Sequence, residues 1–371
     1  MVDTPTYWSP FGEGVILGLI QIGGFGILTL ASLLALLVAR RLGLRTRLLA
    51  QTETKSLELG DVRRVVRNVI VTSLLFEVVG AVILFLRFWI TYDESLGEAA
   101  YLGVFHSVSA FNNAGFALFS TNMIPFATDA VICVTLMVSV VAGGLGFPVL
   151  YELRRELRTP RLWSLHTKIV VYFTPVLLLV GVAGVTAIEW NNAKTLGGLD
   201  VPGKLLAGAF QGVMPRTAGF NSVDYAGVDQ ATLLLTDVLM FIGGSPAGTA
   251  GGIKVTTFVL LGFVLLAEIR GDRAANAFGR RLPVNVQRQA LSVALLGVAA
   301  VVGSTPGAAP AERLLPRSTP VRGDIGVRHR GAVDGHHRRH SGRRPTAADR
   351  ADVHRAHRPD HARRGARAPP A

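Results

Sequence analysis

Long apolar stretches recur through the first 305 residues of this chain and restrict it to folds that lie within a membrane. A helix needs about 20 apolar residues to cross the hydrocarbon core of a bilayer. Several stretches reach that length, and the mean hydropathy of +0.41 is high for a soluble domain. We therefore predict an all-α polytopic membrane protein with apolar stretches at residues 15–38, 65–86, 130–150, 169–188, 231–242, 255–266 and 284–305.

Basic residues concentrate in alternate connections between these stretches. Arg-rich connections lie near residues 40–67, 154–168 and 270–281, whereas the intervening loops are nearly free of Lys and Arg. The positive-inside rule places such connections in the cytoplasm. The formal net charge of +13 does not indicate a nucleic acid partner, because most of it comes from residues 312–371, where fifteen Arg face six acidic residues.

Two further segments, 99–111 and 204–214, are too short to span the bilayer. Each is moderately apolar, ends in a Gly-containing turn, and lies between two predicted spans on the side away from the basic connections. Apolar segments this short are more typical of re-entrant helices than of spans. The order of span, short helix, Gly-bearing loop and span occurs twice in full, which predicts an internal repeat of the kind common in transporters.

The two Gly-bearing loops have related sequences, since both contain the tripeptide Ala-Gly-Phe, centred on Gly115 and on Gly219. A dehydrated cation needs oxygen ligands, and backbone carbonyls supply them when an extended loop directs them towards a common axis. Gly permits the backbone angles that this requires. The negative C-terminal end of a short helix also favours a cation. We therefore predict that both loops line a cation pathway, in a pore that needs about four such loops.

A third Gly-rich segment, 243–254, interrupts an apolar stretch. Its Gly residues, a Pro and two hydroxyl side chains make a continuous helix costly. Two interpretations are open: a close-packing site for neighbouring helices, or an intramembrane loop beneath the filter that obstructs the pore. The density of helix-breaking residues favours the intramembrane loop.

Together with the Gly-rich segment 21–26, these features resemble the Trk/Ktr/HKT family of potassium transporters, and in particular its bacterial membrane subunit. Members carry four repeats in one chain, and each repeat consists of a helix M1, a pore loop and a helix M2. The four repeats are arranged with pseudo-fourfold symmetry around an ion channel. The resemblance implies an ion-binding filter at Asn112, Asn113, Ala114, Gly115, Phe116, Thr217, Ala218, Gly219 and Phe220. It implies a gating loop that includes Gly243, Gly244, Ser245, Gly248, Thr249, Gly251 and Gly252.

The resemblance also divides the chain into repeats. The expected fold has about six spans and two re-entrant pore loops, and the first M1 helix with its filter has no counterpart. Arg216 and Asn112 lie beside the filter in this scheme, where they either brace the loop or contact the ion. The divisions are 1–60 (M2 helix of repeat one and a cytoplasmic loop), 61–160 (repeat two, pore loop 99–117), 161–281 (repeat three, pore loop 203–222 and gating loop 243–252), 282–305 (M1 helix of repeat four) and 306–371 (a disordered basic tail).

The basic tail has the properties of a shifted reading frame. If the codons permitted for residues 323–335 are read one base later, they allow a segment that contains Ser-Ala-Phe, the tripeptide found at 109–111. In that segment a Gly follows the tripeptide at the same spacing at which Gly115 follows residues 109–111. The same shift over 351–359 allows the Leu-Met-Phe-Ile-Gly of residues 239–243. We therefore expect truncation at the N-terminus and a frameshift after about residue 305, against the alternative of a genuine disordered tail. Codons that are incompatible with the shifted segments would exclude the frameshift.

The resemblance implies potassium uptake across the plasma membrane of a bacterium, with K+ or Na+ as the transported ion and no other cofactor. It implies contact with membrane lipid, a homodimer, and a cytoplasmic nucleotide-binding regulatory subunit. The alternative is a membrane-inserted remnant that conducts no ions. An intramembrane enzyme would need a catalytic pair, and Glu77 alone does not make one, so we expect no catalytic residues. We interpret the isolated His106 and His166 as structural.

Overall fold

The computed structural model describes residues 3–41, 62–272 and 274–314. The predictions for the first cytoplasmic loop and for the tail beyond residue 314 therefore lie outside the described residues. Short 3-10 turns occur at Ile124–Phe126, Pro160–Leu162 and Tyr225–Gly227. The helices are α1 (Thr4–Tyr7), α2 (Pro10–Arg41), α3 (Val62–Thr91), α4 (Leu96–Phe111), α5 (Ala130–Leu145), α6 (Phe147–Glu156), α7 (Leu165–Glu189), α8 (Val201–Val213), α9 (Gln230–Phe241), α10 (Val255–Arg270) and α11 (Val284–Leu314), with a hairpin of β1 (Asn276–Ala277) and β2 (Arg280–Arg281) before α11.

Among the described residues, three unbroken helices are long and apolar enough to cross a membrane: Val66–Thr91, Leu165–Glu189 and Val284–Gly303. A fourth span results if α5 and α6 are counted together. The apolar stretches at 231–242 and 255–266 form two separate short helices, α9 and α10, because the Gly-rich segment between them is not helical. The number of about six spans stays a prediction.

The stretch 130–150 is not one straight helix, which corrects the prediction of a continuous span there. Helix α5 ends at Leu145, and α6 leaves it at an angle of 95°. Gly146 occupies the bend with a φ of 80°, a left-handed conformation that favours Gly. Pro148 lies in the first turn of α6, where its missing N–H costs no helical hydrogen bond.

Helix α11 continues to Leu314, beyond the end at residue 305 that was predicted for the M1 helix of repeat four, and the disordered tail stays a prediction. Pro306 and Pro310 lie in this last part of α11, and each lacks the N–H that a helix interior uses as a donor.

The short helices α4 and α8 begin at well-formed caps. The Ser95 hydroxyl accepts a hydrogen bond from the Glu98 N–H at the start of α4. The Asp200 carboxylate accepts one from the Gly203 N–H at the start of α8. Both caps satisfy backbone donors that a helix start leaves unpaired, which lets these short helices begin where the outer loops end.

Each short helix packs closely on the long helix before it. A Cβ at Gly103 of α4 would lie 2.8 Å from the Ala81 carbonyl oxygen of α3, and a Cβ at Gly212 of α8 would lie 2.5 Å from Val182 Cα of α7. The main buried cluster joins the segments predicted as repeats two and three, since Phe88 and Leu136 of the first and Phe210 of the second all belong to it. The structure thus sets the ends of α4 and α8 side by side.

Candidate functional site

The loops that follow α4 and α8 share an unusual backbone pattern. Asn113 and Gly115 have φ values of 52° and 73°, and Thr217 and Gly219 have φ values of 71° and 80°. Left-handed residues thus occur two positions apart in both loops, and such angles are uncommon for residues other than Gly. Alternation of left-handed with ordinary residues lets successive carbonyls face a common side, which is what a carbonyl-lined filter requires.

The two loops meet at their glycines. A Cβ at Gly115 would lie 2.5 Å from Gly219 Cα and 2.6 Å from the Ala218 carbonyl oxygen. A Cβ at Gly219 would lie 2.9 Å from Gly115 Cα. The contact leaves no room for a side chain at either position. Residues that are 104 apart in the chain are therefore brought together at the ends of the two short helices.

Each loop is braced by a side chain of its own short helix. His106 Nδ1 lies 2.8 Å from the Leu102 carbonyl oxygen, and Nε2 accepts a hydrogen bond of 3.2 Å from the Leu118 N–H. In the other loop, Gln211 Oε1 accepts a bond of 3.1 Å from the Ser222 N–H. Leu118 and Ser222 are each the third residue after the filter Gly. His106 therefore has the structural role that was predicted for it.

The remaining residues predicted for the filter differ in their surroundings. Ala218 and Phe220 are buried, whereas the Phe116 side chain is 41% exposed. Ala114 lies beside the glycine contact, with its carbonyl oxygen 3.6 Å from a Cβ at Gly219. The Asn112 side chain turns away from the loop and donates to the Val108 carbonyl and the Glu77 carboxylate.

The Gly-rich segment 243–252 forms a loop that is closed at its neck. The Gly243 N–H donates to the Ile253 carbonyl and the Ile253 N–H to the Phe241 carbonyl, both at 2.9 Å. The loop packs on the bend between α5 and α6, where the Ser245 N–H donates to the Gly144 carbonyl at 2.9 Å. The nonhelical backbone is thus satisfied by protein partners, as membrane depth requires.

The same loop contacts both Gly-bearing loops. The Thr249 hydroxyl donates to the Phe111 carbonyl at 3.0 Å and accepts from Asn113 Nδ2 at 2.6 Å. On the other side, the Gly251 N–H donates to Thr217 Oγ1 at 2.8 Å. The segment 243–252 therefore lies directly against the predicted filter.

Arg216 braces this arrangement. Its side chain is buried, and Nη2 donates a hydrogen bond of 2.9 Å to the Gly243 carbonyl oxygen. The guanidinium thereby joins the loop after α8 to the neck of the segment 243–252. Of the two roles left open for Arg216, this contact favours bracing.

Charged groups also form a network of contacts at the end of the molecule opposite the Arg-rich connections. The Asp129 carboxylate caps α5 and accepts hydrogen bonds from Arg87 Nε at 2.8 Å and from the Tyr92 hydroxyl at 2.9 Å. Burial raises the pKa of Asp129, but the Ile132 N–H, Arg87 and Tyr92 outweigh it and hold the pKa below its ordinary value. Burial, together with Asp129, raises the pKa of Tyr92 to about 12.

Sequence reasoning missed two sets of contacts: the partners of Glu77, which are Gln21 and Asn112, and the hydroxyl contacts of Thr249 and Thr217. A carboxylate in an apolar stretch was the signal for the first set, and nothing in the sequence indicated its partners. Within the described residues, no group of three or more His, Cys, Asp or Glu could hold a metal ion.

Comparison with known proteins agrees with this architecture. A family model described as TrkH, cation transport protein, matches residues 2–302. The chain is 38% identical over 298 residues to the Ktr system potassium uptake protein B of Bacillus subtilis, covering 80% of this chain and 66% of the relative. It is 37% identical over 306 residues to the protein of the same name from Vibrio alginolyticus, covering 82% and 66%. The chain thus spans slightly less than two thirds of the length of these relatives.

The fold is similar to the crystal structure of the potassium transporter TrkH from Vibrio parahaemolyticus, with a TM-score of 0.56 and 19% sequence identity over 76% of this chain and 56% of that one. The family resemblance read from the sequence is thereby confirmed, as are the membrane location and the expectation that the protein is not an enzyme. Because the family model matches well over half of its residues, the chain belongs to the TrkH family of membrane cation transport proteins.

Proposed function

We propose that this protein takes up potassium ions across the plasma membrane and that the loops 112–116 and 217–220 contribute carbonyl oxygens to its selectivity filter. The contact between Gly115 and Gly219 carries this proposal, because it joins two loops with the same left-handed pattern at the ends of two short helices. The C-terminal ends of α4 and α8 are negative and favour a cation at this position. The printed names of the relatives, potassium uptake proteins of the Ktr system, support the choice of ion.

The segment 243–252 is the gate in this proposal. Its hydrogen bonds to Asn113, Phe111 and Thr217 hold it against both filter loops. A segment that served only as a close-packing site between helices would not need contacts to both loops. An ion that leaves the filter must therefore displace this loop, and opening breaks those contacts.

The assembly belongs to the proposal as well. We expect a homodimer in membrane lipid and a cytoplasmic nucleotide-binding regulatory subunit. The printed names of the relatives as proteins of a Ktr system support additional components. The Arg-rich connections mark the cytoplasmic side on which a regulatory subunit binds.

Uptake of Rb+, an analogue of K+, tests the function in a bacterial host that lacks its own potassium uptake systems. We expect the protein to support Rb+ uptake and the Gly219→Ala variant to abolish it, because the new Cβ meets Gly115 and the φ of 80° strains any L side chain. The matched control is Gly262→Ala, since nothing lies within 4 Å of a Cβ there.

If the wild-type protein reaches the membrane but takes up no Rb+, the transport proposal fails and the alternative of a nonconducting remnant stands. If it takes up Na+ and not Rb+, the choice of ion is wrong. If Gly219→Ala transports as well as Gly262→Ala, the filter assignment is wrong.

A further inference from the structure

A buried carboxylate lies behind the first of the two Gly-bearing loops. Glu77, in the middle of α3, is 4% exposed, and its Oε1 accepts hydrogen bonds from two amide side chains. Gln21 Nε2 of α2 donates at 3.1 Å, and Asn112 Nδ2 donates at 3.0 Å. One carboxylate oxygen therefore connects α2, α3 and the first residue after α4. A carboxylate at membrane depth is costly and rare without a function.

Asn112 is held on more than one side. Its Nδ2 also donates to the Val108 carbonyl at 2.9 Å, while Oδ1 is buried and without a hydrogen-bond partner in the described structure. That oxygen faces α2, since a Cβ at Gly24 would lie 1.7 Å from it. The side chain is thus wedged between Glu77 and α2, and its backbone begins the loop that reaches Gly115 three residues later.

Glu77 also contacts α4 through its main chain. Its carbonyl oxygen accepts a hydrogen bond of 2.7 Å from the buried Ser107 hydroxyl. The side chain and backbone of one residue therefore hold both the short helix and the start of the loop. Breaking such contacts leaves buried donors unpaired, which costs more than the net strength of the hydrogen bonds themselves.

The second Gly-bearing loop is held differently. The offset of 104 residues that relates Gly115 to Gly219 relates Glu77 to Gly181 and Asn112 to Arg216. Gly181 packs on the Gly212 carbonyl, with 2.4 Å to a Cβ built there, so a carboxylate has no room in that position. Arg216 instead bonds to the Gly243 carbonyl. The carboxylate brace is thus a property of the first loop, and removing it should act on that loop alone.

We propose that Glu77 is a positioning residue that fixes Asn112 and thereby sets the conformation of the loop 112–116, and with it the discrimination between K+ and Na+. This inference rests on the proposed function for its effect on ions, but its effect on the loop can be measured independently of transport. Glu77 does not contact the ion; it acts through Asn112.

The variant Glu77→Gln keeps the shape of the side chain, and its oxygen can still accept from Gln21 and Asn112, but it replaces the carboxylate by a neutral amide, so both hydrogen bonds become weaker. We expect the ratio of Rb+ to Na+ uptake to fall about tenfold, with the maximal rate much less affected. The double variant Gln21→Glu with Glu77→Gln returns a carboxylate to this cluster. In it, the amide introduced at position 77 donates to the carboxylate introduced at position 21 and accepts from Asn112, so the uptake ratio should return towards that of the wild type.

Hydrogen exchange of the purified protein provides the readout that does not depend on transport. The Ala114 and Leu118 amides are hydrogen-bonded to Ser109 and His106 and report on the first loop. We expect Glu77→Gln to raise exchange in 113–118 about tenfold and to leave 217–222 unchanged. The matched control is Glu189→Gln, another buried carboxylate, whose partners Asn192, Thr195 and Thr232 lie at the far end of α7.

Unchanged exchange in 113–118 in Glu77→Gln would overturn the inference, as would a double variant that is no better than the single one. A rise in exchange with an unchanged Rb+ to Na+ ratio would overturn the link to selectivity. If the wild type takes up neither ion, the proposed function fails, and the exchange comparison still decides whether Glu77 positions the loop.

Discussion

Asn113 and Thr249, which are 136 residues apart in the chain, are joined by a hydrogen bond of 2.6 Å from Nδ2 to Oγ1. The same hydroxyl donates to the Phe111 carbonyl at 3.0 Å. One side chain of the segment 243–252 therefore contacts both the end of α4 and the loop that follows it. If the segment is a gate, this hydroxyl stabilises its closed position.

The variant Thr249→Val removes both hydrogen bonds while keeping the size of the side chain. We expect Rb+ uptake to rise about 30-fold, because the two bonds contribute roughly 1 kcal/mol each and every 1.4 kcal/mol corresponds to about a factor of ten. Initial uptake rates at matched protein levels measure this. The control Thr249→Ser keeps the hydroxyl and should behave like the wild type. An uptake rate in Thr249→Val no higher than in Thr249→Ser argues against the gate.

Adjacent glycines at the end of α5 should differ sharply in their tolerance of Ala. A Cβ at Gly143 would lie 1.9 Å from the Phe111 carbonyl oxygen, whereas a Cβ at Gly144 meets only Ala250 Cβ at 3.7 Å. We expect Gly143→Ala to lower the free energy of unfolding by about 3 kcal/mol through overpacking, and Gly144→Ala to leave it nearly unchanged. Thermal unfolding in detergent measures both. Equal melting temperatures for the two variants would contradict the packing of α5 on α4.

The features that the sequence predicted well are those with a local signal. The short helices α4 and α8, the Gly-bearing turns after them and the break at 243–252 all follow from helix length and from Gly and Pro content. The positive φ of Gly115 and Gly219 belongs to the same class, since Gly is the residue that such a backbone favours.

Other features depend on contacts between distant parts of the chain, which local patterns do not encode. No residue in 141–150 is charged, so hydropathy does not reveal the 95° bend at Gly146. The Gly-Phe-Pro sequence at 146–148 is the available signal for it. The partners of Glu77 come from α2 and from the end of α4, and no periodicity relates these three positions.

The Asp129 network predicts a pH dependence of stability. A carboxyl group whose pKa is lowered on folding contributes stability that is fully present above its unfolded pKa and is lost as the pH falls through the folded pKa. The variant Asp129→Asn keeps an N-cap for α5 but loses the charge that Arg87 and Tyr92 contact. We expect it to be about 2 kcal/mol less stable than the wild type at pH 7, with a difference that shrinks below the ordinary pKa of 3.8.

Thermal unfolding of both proteins at pH 7 and at pH 3 measures this difference. The pair of exposed Arg155 and half-buried Glu156, 3.5 Å apart, supplies the control. Ion pairs at the protein surface contribute little, and a Gln oxygen can still accept the hydrogen bond of the Thr159 hydroxyl, so Glu156→Gln should not change stability at either pH. A deficit in Asp129→Asn that is the same size at both pH values would mean that the charge is not what stabilises the start of α5.

The wedge of Asn112 against α2 predicts a second contrast between adjacent glycines. A Cβ at Gly24 would lie 1.7 Å from Asn112 Oδ1, whereas nothing lies within 4 Å of a Cβ at Gly23. Gly24→Ala should therefore displace the Asn112 side chain, weaken its bond to Glu77 and reduce the Rb+ to Na+ uptake ratio in the same direction as Glu77→Gln. Gly23→Ala should leave the ratio unchanged, and each Ala should favour the helix by up to about 1 kcal/mol. Because both changes add the same methyl group to the same helix, a lower ratio in Gly24→Ala alone assigns the effect to Asn112. Equal ratios in the two variants would mean that α2 does not hold Asn112 in place.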